Sequence, residues 1–269
     1  MNIKSNKKSY SKSKFNSKKN SFGKTFSSSK YHSNRSVCLY ELMYDLENND
    51  YPSSMGTKQS KELDSFFPEL YRFNTYSDLK RGLLNHPDSN VNNQEMIRYF
   101  TYKWFLLKCT FVDKQLLSQA GFKLQFDNQS KSQQLFFNNV PFELRETKCD
   151  RNLFVDDDTS KEYLTLDLDK LKEYGEFLYS NQSKSRYSLQ NKVFVVYYSE
   201  SKDVPTNKLR TCFRLKLNAF KQMCNNINKC ITFKAKIDDK DAVCYFVIVH
   251  CNKFGIIKSY IPGLNDDSI

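Results

Sequence analysis

Nine lysines and one arginine fall within the first 36 residues: Lys4, Lys7, Lys8, Lys12, Lys14, Lys18, Lys19, Lys24, Lys30 and Arg35. No aspartate or glutamate interrupts them. Cations dispersed in this way bind polyanions, because each one that meets a phosphate releases condensed counterions. Tyr10, Phe15, Phe22, Phe26 and Tyr31 are interleaved with the cations and offer rings for unpaired bases. Such stacking is worth roughly 1 to 3 kcal/mol per base. Cations with rings favour RNA or single-stranded nucleic acid over duplex. The ten lysine and arginine residues named above, with Tyr10 and Phe15, are therefore the candidate nucleic-acid-binding residues. The segment holds ten of the twelve formal positive charges, leaving 32 basic side chains to face all 30 acids in the rest of the chain. Its eleven serines are potential phosphorylation sites whose charge would cancel that of the lysines.

A second group of residues suits metal chemistry. In VPFELRETK, residues 140 to 148, Phe142, Leu144, Glu146 and Lys148 share one face of an expected strand, and Asp127 ends the strand before it. Carboxylates are the ligands that hard cations such as Mg²⁺ prefer. The layout is similar to the metal-dependent nucleases with a PD-(D/E)xK core. The resemblance covers roughly residues 113 to 199. It implies that Asp127 and Glu146 hold Mg²⁺ while Lys148 positions or activates water. Phe126 stands where that family has proline.

Other chemistries find less support. Cys224, Cys230, Cys244, His250 and Cys251 crowd the C-terminal third, but no CxxC pair gives zinc spacing. The eight cysteines read as reduced, mostly buried small hydrophobes. A Ser-His or Cys-His pair would have to use His86 or His250, each more simply a surface or strand-edge residue. Neither a GxxxxGK[ST] loop nor a GxGxxG loop occurs. The acidic run with Asp156, Asp157 and Asp158 reads as a solvated loop. No metal or cofactor is expected, apart from Mg²⁺ under the nuclease reading.

The elements that position these residues follow from periodicity. Residues 1 to 36 lack any period and read as a disordered basic arm. Residues 37 to 269 read as one globular α+β body, with a possible subdivision near 200 to 208 and a mixed or antiparallel sheet carrying several short helices. VCLYELMYDLE predicts an amphipathic helix, and Asp78 opens a short one ending near Asn85. Asn92 or Asn93 caps a further helix, which gives way to a strand from about Trp104 to Val112; Asp113 then caps a short helix that Gly121 ends. Residues 122 to 126 and 135 to 149 form a hairpin. Residues 162 to 168 alternate as a strand, residues 169 to 179 form a helix, and residues 192 to 199 give a firm strand signal. Residues 211 to 216 alternate as a strand, and Asn218 caps the helix after it. CITFKAKI and AVCYFVIVH make an antiparallel hairpin, and a last strand runs from Phe254 to Ile261.

No apolar window spans a bilayer and the N-terminus lacks a signal-like apolar stretch, so a soluble cytoplasmic or nuclear protein is expected. The expected function is binding of RNA or single-stranded nucleic acid by the arm, with homo-oligomerisation as a possible aid. Arm plus neutral body resembles, in layout alone, viral nucleocapsid, coat and RNA-binding accessory proteins. The alternatives are the nuclease and a protein-interaction module with a targeting tail.

Overall fold

Asn93 caps a single helix, α5 (Gln94–Ala120), by accepting the Met96 amide at 2.9 Å. The computed structural model describes residues 38–127, 132–155, 165–180, 191–237 and 240–264. The arm and the acidic run at 156 to 158 lie outside the described residues. Gly121, at φ +133°, ends α5 as expected. The strand expected from Trp104 to Val112 is instead its middle. β-Prone aromatics obscured the helical period there. Burial of Tyr99, Phe100, Trp104, Phe105, Cys109, Val112 and Leu116 at three- and four-residue steps decides the matter. Asp113 accordingly caps nothing and lies buried inside the helix.

Ahead of α5 come α1 (Leu39–Asn48), α2 (Lys61–Ser65), α3 (Tyr76–Leu84) and α4 (Ser89–Asn92). α1 turns Leu42 and Leu46 inward, and α3 turns Leu79 and Leu83 inward. Gly82 in α3 is a close approach: a Cβ there would lie 2.6 Å from Cζ of Phe73, whose carbonyl accepts the Trp104 indole N–H at 2.9 Å. Gly82→Ala is expected to cost ~1 to 2 kcal/mol in urea unfolding, because overpacking outweighs alanine's better helix propensity.

The sheet opens as a meander of β1 (Lys123–Asp127), β2 (Ser132–Phe137) and β3 (Val140–Lys148). The single strand expected from 135 to 149 is broken by Asn138 and Asn139 at φ +49° and +64°. Two successive positive φ values are what a two-residue hairpin turn requires, and asparagine tolerates them. The chain continues through β4 (Phe154–Val155), β5 (Thr165–Leu166), α6 (Leu168–Ser180) and β6 (Asn191–Ser199). α7 (Thr206–Arg210), α8 (Phe213–Asn225), β7 (Phe233–Ile237), β8 (Lys240–Cys251) and β9 (Ile257–Tyr260) complete it.

In space the sheet order is β1-β2-β3-β6-β8-β7, with β9 also paired to β8. β3, β6 and β8 are mutually parallel; the other pairings are antiparallel, so the fold is α+β with a mixed sheet. The central strands are covered on both faces, and for that reason KVFVVYYS is apolar without alternation. Val193, Val195 and Tyr197 of β6 face Trp104, Phe105, Phe213 and Phe220 in one core, which runs from Leu42 to Ile261 across the 200 to 208 stretch. Phe194 and Val196 join a second core with Leu171, Tyr174 and Tyr179 of α6.

The strand expected at 211 to 216 is the start of α8, and Asn218 is an exposed position within that helix rather than its cap. Phe213, Lys216, Ala219, Phe220 and Met223 are its buried stripe. Counting Lys216 as a solvent residue hides that stripe. All eight thiols are free and five are buried. Among the described residues no helix is long and apolar enough to cross a membrane.

Candidate functional site

Four elements converge on Lys216, whose side chain is fully buried. α8 supplies it, α5 supplies Asp113, β6 supplies Tyr197, and α7 offers the Arg210 carbonyl. The ammonium donates to Asp113 Oδ2 at 2.7 Å, to Tyr197 Oη at 3.3 Å and to Arg210 O at 2.5 Å. That uses all three of its protons. Asp113 Oδ1 lies 2.5 Å from the same nitrogen, and the Asp113 side chain is fully buried.

Glu146 of β3 extends the group. Its Oε2 pairs with Arg210 Nη1 at 2.6 Å and lies 3.1 Å from Tyr197 Oη, while Oε1 accepts from Thr110 at 2.6 Å. Tyr197 thus stands between two carboxylates, with Asp113 Oδ2 at 3.3 Å. The Arg210 guanidinium lies 4.7 Å from the Tyr197 ring centroid. Burial, joined by the charge of Glu146, pushes the Asp113 carboxyl up, against the opposing pull of Lys216. Burial and the two carboxylates hold the Tyr197 phenol well above its usual range, so its proton stays in place.

Chemically this is an ion-pair network that ties α5, β3, β6, α7 and α8 together. It does not fit Mg²⁺. Asp113 already faces Lys216, Glu146 already faces Arg210, and both oxygens of Glu146 are engaged. The Glu146 side chain is only 5% exposed, so a metal would have to displace the guanidinium.

The residues suggested by the nuclease resemblance are not brought together. Glu146 is in the network, and Lys148, two residues on, is exposed at the end of β3. Asp127 ends β1, paired with Ser132 and two strands away from β3. Among the described residues no group of three or more His, Cys, Asp or Glu side chains is placed to hold a metal ion.

The two described histidines have structural partners. The His250 ring packs 4.3 Å from the Phe154 ring and 5.2 Å from the Tyr198 ring, and Glu200 contacts it at 2.8 Å. His86 accepts the Asp88 amide at 3.2 Å. The arm residues Lys4, Lys7, Lys8, Tyr10, Lys12, Lys14, Phe15, Lys18, Lys19, Lys24, Lys30 and Arg35 lie outside the described residues.

Sequence reasoning missed Asp113, Tyr197, Arg210 and Lys216. The available signal was a charged residue at a core position of a helical period: Asp113 between Val112 and Leu116, and Lys216 between Phe213 and Ala219. No protein-family model, no curated protein and no solved structure matches this chain.

Proposed function

We propose that this protein binds nucleic acid, RNA or a single strand in preference to duplex, through the cationic arm that precedes its α+β body. The observation that carries the reading is the segregation of charge: ten cations without an acid in 36 residues, ahead of a nearly neutral remainder. Several acids of the described body are paired with cations of the body. Asp64 pairs with Lys103, Glu143 with Lys192 at 3.0 Å and Arg145 at 2.6 Å, and Glu146 with Arg210. The chain's excess of positive charge lies in the arm, and a polyanion is the partner that such charge suits.

Phosphates supply the affinity and the interleaved rings favour unpaired bases, so the complex holds many sequences with little discrimination. Several arms on one strand gain avidity through effective concentration, which gives self-association of the body a use. Gathering a long RNA, in cytoplasm or nucleus, is the role such a device suits. Retention on an immobilised single-stranded oligonucleotide tests the reading. The full-length protein is expected to be held and a chain lacking residues 1 to 36 to pass through; equal retention of both would overturn it.

A further inference from the structure

The two edges of the sheet differ in charge. β1 begins the strand order, paired on one side with β2, and among the described residues no other strand joins it. β7 and β9 form the far edge, both against β8. An edge strand turns the N–H and C=O of alternate residues away from its neighbour, and proteins guard such rows with charge, above all with lysine. The far edge follows that rule: β7 reads FKAKI and β9 reads IKSY, with three lysines and no acid. β1 reads KLQFD, with one charge of each sign and neither proline nor glycine.

The order of those charges selects a partner. Any extended chain can add to an exposed edge through its backbone. Laid antiparallel on a second β1 about a twofold axis at Gln125, the strand sets Lys123 opposite Asp127 twice and Leu124 opposite Phe126 twice. Lys123 and Gln125 are exposed, and Leu124 is half-buried against the larger core. Successive residues of a strand take opposite faces, so the operation matches charge with charge on the solvent face and apolar with apolar on the core face. Sliding the register by two residues removes both charge pairs and shortens the ladder. The same operation on β7, about Ala235, sets Lys234 opposite Lys236, and like charges directly opposite repel.

We propose that β1 pairs with β1 of a second copy, so that one sheet runs through both bodies of a symmetric dimer. A ladder of five residues on each side is a small contact, and the dimer is weak and reversible. The pairing stands apart from the arm reading and supplies it with two arms per particle, from which avidity follows.

Sedimentation equilibrium of the full-length chain, freed of nucleic acid so that no strand bridges copies, tests it. Lys123→Glu sets acid against Asp127, and Asp127→Lys sets lysine against Lys123. Each is expected to weaken dimerisation roughly 10- to 100-fold, because two attractive cross-strand pairs become repulsive. Mixing the two variants is expected to restore association as a heterodimer, since every opposed pair again carries opposite signs; recovery of this kind also excludes misfolding as the cause of the loss. A parent chain still monomeric at about 1 mM would overturn the proposal. So would a dimer that both substitutions leave unchanged, or a loss in both variants without recovery on mixing. Retention on an oligonucleotide bears on the arm alone, so the failure of one reading leaves the other standing.

Discussion

Lys216→Met is expected to lose about 3 to 5 kcal/mol of stability, a large share of the total of a typical domain, because it leaves a buried charge without its partner. Asp113 would keep its buried carboxylate facing only Tyr197, and the Arg210 carbonyl would lose its donor. The loss is expected to depend on pH. Lys216 restrains the rise of the Asp113 pKa, so removing it drives that pKa further above the unfolded value. A raised folded pKa means stability that is present below the unfolded value, about 3.9, and lost as pH climbs through the folded one. The variant should therefore compare better with the parent at pH 5 than at pH 8. Urea unfolding at both values measures this.

Pairing the change with Asp113→Leu should recover most of the loss, since a buried ion pair replaced by apolar side chains of similar volume is often neutral. A single variant as stable as the parent at pH 8 would show that the network does not hold the five elements together.

The same residues mark where the sequence was readable. β6 was plain because five buried apolar positions in a row, Val193 to Tyr197, make a string that only a strand covered on both faces needs. α6 was plain because its period matches one buried face, and the antiparallel pairing of β7 with β8 was plain from two apolar runs flanking a short polar link. Beside the β-prone aromatics of α5, α5 and α8 share one further cause of misreading: a charged residue, Asp113 or Lys216, occupies a core position, and each is tolerated only because the other is there. Pairing across 103 residues is invisible to local periodicity. The Asn138-Asn139 turn was missed because neither residue is the glycine that usually announces positive φ. Of the candidate site residues, Glu146 was found for its type and spacing, but its engagement by Arg210, Thr110 and Tyr197 belongs to the fold.

The arm was legible at once, because a charge count needs no fold. Replacing its ten cations with glutamine in the full-length chain is expected to produce the largest change in binding of any set of substitutions. If all ten contact a single strand, the observed affinity falls with salt at a log–log slope of about −7, some four decades between about 50 and 200 mM. Phosphate groups on the serines should move the parent toward the variant, since each adds a charge of opposite sign close to the lysines.

Nucleic acid is the proposed partner because the excess charge is segregated, and the salt slope reads that segregation directly. Titration of a labelled single-stranded oligonucleotide with the parent and with the glutamine-substituted arm, across a salt series, is the decisive measurement. A steep slope for the parent and a nearly flat, weak one for the variant is the predicted result; the same affinity and slope for both would contradict the account.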